Sequence, residues 1–316
     1  MHTTIPALHV GQGIHQAGLT LFPVWVDAPR IGSLEWSPAS LRVTERPDGA
    51  AVDTLDARNL AGRPLVALEG DLVDGGWQHR MLGRSIVLGA RERREVDAVC
   101  IEQGRWGLAV DDRDAGQHGD PGSPSTHSAA GRRASLVVRF GSERARHGLD
   151  DERQSGVWRR IQTFEQRLGA SQTGSFTRHL DRQSIRAPRL IDGQRGVIIG
   201  IGGRIMGLEL FCSGSGLRSR WTGIVQAAAV DARLADPVVT TAERARAFAR
   251  AVQGAPLRAS DATEPHSTAP RTVELSRADD RVDVIGLGAR LGGHAGDSSV
   301  LHLTALDRAH PVLAGA

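Results

Sequence analysis

A chain of 316 residues with 40% hydrophobic content is long enough for one large domain or two ordinary ones, and apolar enough to build a core without disulfides or metal. Its sequence pI near 9.8 overstates its basicity, because the formal net charge is only +3: the chain has no Lys and no Tyr, all 39 basic residues are Arg, and almost nothing titrates between His and Arg. Acidic and basic residues interleave, so the stripe or patch of positive charge that a nucleic-acid partner needs is missing.

The absence of Lys and Tyr and the single Asn59 fit GC-rich codon usage, which is a genomic bias and not a function. No run of about 18 apolar residues is present to cross a bilayer. The opening "MHTTIPALHV" lacks the basic and long apolar segments of a secretory leader. A cytoplasmic protein with no membrane partner is expected. Cys100 and Cys212 are too few for a disulfide framework and have no metal-type spacing, so two reduced, partly buried thiols are expected. The 12 histidines are scattered, with no H-E-x-x-H and no Cys-x-x-Cys; no metal site is expected and no cofactor is identified.

In chain order, the first hundred residues read as short strands rich in Val, Leu and Ile. They are "LTLFPVWV" (19–26), "LRVTE" (41–45), "AVDTLDARNL" (51–60), "RPLVALEGDLV" (63–73), "RSIVLGA" (84–90) and "REVDAVCIEQ" (94–103), punctuated by Gly- and Pro-rich turns. Asp74-Gly75-Gly76 predicts a chain reversal, making "LEGDLVDGGWQHR" (68–80) a hairpin. The stretch 111–133 has almost no large apolar residue and reads as a loop too poor in buried surface to order itself. Helical spacing of Val157, Ile161, Phe164 and Leu168 predicts a helix from about Ser155, stopped by Gly169. A second hairpin turns at Gly202-Gly203, and a helix from about Ser215 carries Leu217, Trp221, Ile224 and Ala228 on one face. Thr240 and Glu243 form a capping box for a third helix. The polar stretch 254–271 reads as a linker, and the tail again as strands.

The expected fold is therefore α+β: a strand-rich N-terminal β-sandwich-like sheet, then a helix, a Gly-Gly β-hairpin, two helices and C-terminal strands. The expected organisation is a β-rich region over 1–110, a flexible loop insertion over 111–133 and an α+β region over 134–316, packed with the first as one compact unit.

Several motifs that resemble reactive sites fail on context. "GIGGRIMG" (200–207) has Ile205 at the third position of a dinucleotide fingerprint and runs on into a strand, and "GLGARLGG" (286–293) has Leu291 where Gly or Ala is required. Both read as turns. "GDSS" (296–299) with His302 lacks the G-x-S-x-G elbow, and a Ser and a His close together on one strand are no evidence of a triad.

What remains is a polar constellation. On a regular strand Glu69 and Asp71 share one face, and so do Gln78 and Arg80 on the return strand, opposite those acids. "CIEQGRW" (100–106) adds Glu102, Arg105 and Trp106. Gln78, Arg80, Arg105 and Trp106 are the candidate ligand-binding residues: guanidinium forks hold phosphate or carboxylate, and the indole stacks on a ring. Glu69 and Glu102 are the candidate catalytic acid and base. A closed network of ion pairs with a Trp cap accounts for the same letters, and both readings stay open.

The segments "LEGDLVDGGWQHRMLGRSIVL", "VCIEQGRW", "VWRRIQTFEQRLGASQTGSF", "GVIIGIGGRIMGLELF" and "RWTGIVQAAAVDA" occur in an order that resembles the bacterial ARG and Rhodanese-Phosphatase-superfamily-associated Protein domain family, from about residue 17 to 306. The resemblance rests on Glu69, Gly70, Gly75, Gly76, Gln78 and Arg80, then Cys100, Glu102, Gly104, Arg105 and Trp106. It continues in Gly202, Gly203, Glu209, Phe211, Trp221 and Asp231. Trp77 and His79 depart from it, standing where Lys and Asn are expected. The family is named for its association with ADP-ribosylglycohydrolases and rhodanese-phosphatase proteins, and it implies no defined reaction. The resulting expectation is a domain that recognises a small anionic ligand, nucleotide or ADP-ribose-like by association alone. The alternative is a non-catalytic interaction or structural domain with a protein partner. Enzyme status and oligomeric state stay open.

Overall fold

A computed structural model describes residues 3–73, 78–102, 126–127, 150–169, 176, 185–262, 267–279, 281–290 and 299–313. Strands β1 (Thr3–Thr4), β2 (Leu8–Val10), β3 (Ile14–Gln16) and β4 (Leu19–Val26) open the chain. They are followed by β5 (Leu41–Thr44), β6 (Thr54–Asn59), β7 (Leu65–Ala67), β8 (Leu72–Val73), β9 (Arg80–Leu82), β10 (Ile86–Leu88), β11 (Arg93–Cys100) and β12 (Thr126–His127). Helix α1 (Asp150–Leu168) leads to β13 (Gly196–Ile201), β14 (Arg204–Phe211), α2 (Gly214–Ala232) and α3 (Ala242–Val252). The chain ends in β15 (Pro256–Asp261), β16 (Thr272–Ala278), β17 (Val282–Ala289) and β18 (Ser299–Asp307). The fold is α+β. Among the described residues no helix is long and apolar enough to cross a membrane.

The principal sheet has 10 antiparallel strands in the order β1-β15-β16-β17-β18-β14-β13-β4-β2, with β3 also paired to β4. Its interior strand β13, "GVIIGI", is buried along its whole length, as an apolar run bounded by turns should be when both faces are covered. On one face Val197, Ile199 and Ile201 meet Val157, Ile161 and Phe164 of α1 and Leu217, Ile224 and Val225 of α2. The opposite face is covered by α3, whose Ala245, Phe248, Ala249 and Val252 fall at i, i+3, i+4 and i+7 and pack in one core with Phe22, Ile198, Leu208 and Leu303.

A smaller unit is built from a 6-stranded sheet, β12-β5-β6-β11-β9-β8, and the 2-stranded pair β7–β10. Its own core gathers Val43, Leu55, Ala57, Leu65, Val73, Leu82, Val96 and Ala98. Alternate residues of the same strands, Val66, Met81 and Val99, belong to the core shared with α1 and α2, so the small unit is joined to the large sheet through its second face.

Several local expectations change. The strand expected over 63–73 is two strands in different sheets, broken where Gly70 takes φ +83 and Asp71 N–H closes a turn onto Leu68 C=O. Thr241, not Thr240, caps α3 by accepting from Arg244 N–H; Thr240 is buried, its N–H donating to Thr20 Oγ1 and its hydroxyl to Arg204 C=O. Part of the expected linker is β15, paired with β16. The loop expected at 111–133 lies outside the described residues except for Thr126 and His127, which pair with Thr44 and Val43.

Other local expectations hold. The hairpin at 68–80 exists as β8–β9, with Leu72 opposite Met81 and Val73 opposite Arg80; its tip, Asp74 to Trp77, lies outside the described residues. "GIGG" is the β13–β14 turn, with Gly202 at φ +58 and Gly203 at φ +76, the positive pair that a tight two-residue hairpin turn needs. The second glycine motif departs from the expected turn: Gly286 to Ala289 are the last residues of strand β17, while its final three residues, 291–293, and the start of "GDSS" lie outside the described set.

Candidate functional site

The small unit's core ends in polar side chains. Val43, Leu82 and Ala98 point into that core, and the strand period of two sets Glu45, Arg80 and Cys100 on the same inward side, each two residues from its apolar neighbour. Arg80 and Cys100 are register partners across β9 and β11. The Arg80 side chain is 0% exposed and meets Glu45 in a fork, Nη1 to Oε2 at 3.0 Å and Nη2 to Oε1 at 3.1 Å. This two-pronged geometry suits the planar guanidinium.

Glu102 and Gln78 join the same end of the unit. Glu102 is buried, and its Oε2 accepts from His79 N–H at 3.2 Å, which places the carboxylate against the backbone between Gln78 and Arg80. Gln78 is also buried. The Cys100 thiol donates to Glu102 C=O, while the Gln154 amide of α1 holds both backbone polar groups of Cys100, at 2.9 and 2.8 Å. Burial pushes the Cys100 thiol up, and it pushes Cys212 up to about 11, so both buried cysteines are protonated thiols at neutral pH. The structure thus brings Gln78, Arg80 and Glu102 together. Arg105 and Trp106 lie outside the described residues.

The first pair of acids goes elsewhere. Since Gly70 breaks the strand, Glu69 and Asp71 do not oppose Gln78 and Arg80. Asp71 Oδ2 accepts from Leu68 N–H and lies 2.9 Å from Arg220 Nη1 of α2, whose Nη2 donates to Val66 C=O. This ties the small unit to the helix layer. Glu69 donates its N–H to Ser85 Oγ and lines a cleft of about 50 Å³ with Arg84, Ser85, Arg94, Thr272 and Glu274, room for little more than water.

Sequence reading missed Glu45 and Gln154. The signal for Glu45 was an acid in phase with Leu41 and Val43, at an inward strand position where an apolar residue is expected. Buried ion pairs recur beyond this cluster. Arg160 meets Asp231 at 2.6 Å and donates to Val312 C=O; Glu209 Oε2 lies 2.7 Å from His302 Nε2 and accepts from the Thr304 hydroxyl. Asp231 and Glu209, both positions of the resemblance, therefore hold layers and neighbouring strands together.

A family model described as the ARG and Rhodanese-Phosphatase-superfamily-associated Protein domain matches residues 7–306. Neither the curated proteins nor the solved structures contain a match.

Proposed function

We infer, on the premise that this chain belongs to the ARG and Rhodanese-Phosphatase-superfamily-associated Protein domain family, that it recognises a small anionic molecule at the polar end of the small unit. The observation that carries this reading is the convergence of Gln78, Arg80 and Glu102, from two separate segments, onto one end of a β-core. The mouth of a small β-unit is a common ligand position. Glu45 neutralises Arg80 and fixes its orientation, so the charge of an anion is assigned to Arg105, three residues after Glu102 in the sequence. On this reading Trp106 stacks on a ring and Gln78 supplies an amide. Glu102 orients a hydroxyl, or serves as acid or base if the ligand is turned over. Glu69 stands as a separate candidate acid in its own cleft. The family's association makes ADP-ribose and related nucleotides the first ligands to try.

The test is thermal unfolding of the whole chain with ADP-ribose, NAD and nucleoside phosphates. Stabilisation that saturates is expected, about 2.7 kcal/mol at a hundredfold excess over Kd. Gln78→Ala and Arg105→Ala should abolish the shifts with ADP-ribose and NAD without preventing folding. A flat response to ADP-ribose and NAD sinks the reading.

A structural or protein-interaction domain is the second reading, and one observation favours it: the Arg80 guanidinium is fully buried and forked to Glu45. If that pair only holds the fold together, a Glu45→Met, Arg80→Met double variant keeps whatever ligand response the wild type shows.

A further inference from the structure

We propose that the protein carries a second, independent anion site for a small organic phosphate, in the open cavity of about 630 Å³ beside the β13–β14 turn. The cavity is bounded by the end of α1, by Gly202 and Arg204 at the turn, by the loop that follows α2, and by the 310–312 segment near the C-terminus. Among the described residues, three guanidinium-bearing ones, Arg167, Arg204 and Arg233, line it against a single carboxylate, Asp236. Among the described residues none of these three arginines is in an ion pair. That sets them apart from Arg80, Arg160 and Arg220, each of which has a buried carboxylate within 3.0 Å.

Arg167 and Arg233 stand at the ends of α1 and α2, where a cation complements the helix dipole. That accounts for their places in the sequence. It does not account for Arg204, which belongs to a β-turn, nor for three like charges lining one cavity in a chain whose net charge is only +3. The walls are held in place. Arg167 Nη1 donates to Leu234 C=O at 2.9 Å, and Gly203 N–H donates to Val238 C=O at 2.9 Å, fixing the turn against the loop. His310 lies 3.1 Å from Ile201 C=O through Nε2 and accepts from Val312 N–H through Nδ1, so both ring nitrogens are engaged. Burial also pushes its pKa down, so it lines the cavity as a neutral ring.

The ligand class follows from size and charge. The volume falls in the range of about 300–1,000 Å³ typical of small-molecule pockets. A surplus of two positive charges matches a phosphomonoester, which carries roughly −1.5 to −2 at neutral pH and three acceptor oxygens where a carboxylate has two. Leu234, Ala235, Val238 and Pro311 give an apolar wall for the rest of the molecule, which inorganic phosphate cannot use.

Calorimetric titration of the whole chain with AMP, inorganic phosphate and succinate tests this. AMP should bind saturably and more tightly than either small anion. Arg204→Ala and Arg233→Ala should each weaken it about tenfold, consistent with loss of a charge-assisted hydrogen bond. Raising salt from about 50 to about 500 mM should weaken it further, since the guanidinium groups are exposed. Both side chains being exposed, the variants should keep the wild-type circular dichroism. Gln78→Ala and Arg105→Ala should leave this binding intact, so the two sites can fail separately. No saturable heat with AMP, undiminished binding in the Arg204→Ala, Arg233→Ala double variant, or succinate or phosphate binding as tightly as AMP would each overturn the proposal.

Discussion

Arg80 carries its charge into the interior of the small unit, where Glu45 receives it with both oxygens. Desolvating two ions is costly, and the fork repays that cost only while both partners are present. Glu45→Ala should therefore destabilise the protein by about 3–5 kcal/mol in urea unfolding, whereas Glu45→Met with Arg80→Met should lie within about 2 kcal/mol of wild type. Equal losses in the single and double variants would show that the pair's charges are not what matters there. Glu45 was not legible as Arg80's partner. Strand parity gives the face on which a side chain lies, but the carboxylate it meets depends on which strands are neighbours. The sequence places Glu69 and Asp71 nearer, and one positive-φ residue, Gly70, turns them away.

At the scale of elements, local pattern was a good guide wherever an element buries a regular face. β4 spans the expected 19–26, α1 stops at Gly169 with φ +91, and α2 buries Leu217, Trp221, Ile224 and Ala228 as their spacing requires. It was a poor guide where tertiary contacts recruit weak segments, as for β15, whose "PLRASD" has little apolar periodicity and is held by pairing with β1 and β16. The β14–β18 pairing leads to a prediction. A Cβ added at Gly207 would stand 2.4 Å from Ala305 C=O, a backbone atom of the neighbouring strand that cannot move without opening the ladder. Gly207→Ala should cost at least about 1–3 kcal/mol, the usual range for overpacking. A neutral result in chemical denaturation would mean that the two strands can part there.

For the whole molecule, the decisive feature is the core shared between the small unit, α1, α2 and the large sheet. Strands β1 to β4, from the N-terminus, sit in the same sheet as β13 to β18. We propose that the expected β-rich and α+β regions consequently melt together: tryptophan fluorescence, to which Trp36 and Trp221 of the shared core contribute, and far-ultraviolet circular dichroism should give coincident midpoints. Two separated transitions would instead mark two independent units. The sequence by itself determined the α+β class, the faces of the long helices, the Gly202-Gly203 hairpin, the β8–β9 strand pair and the family, because these depend on local periodicity, turn chemistry and ordered motifs. Tertiary structure decided which carboxylate each buried arginine meets, which sheet the first strands enter, and that three arginines distant in sequence line one cavity. Those outcomes depend on strand order and layer packing between remote segments, and no local pattern encodes them.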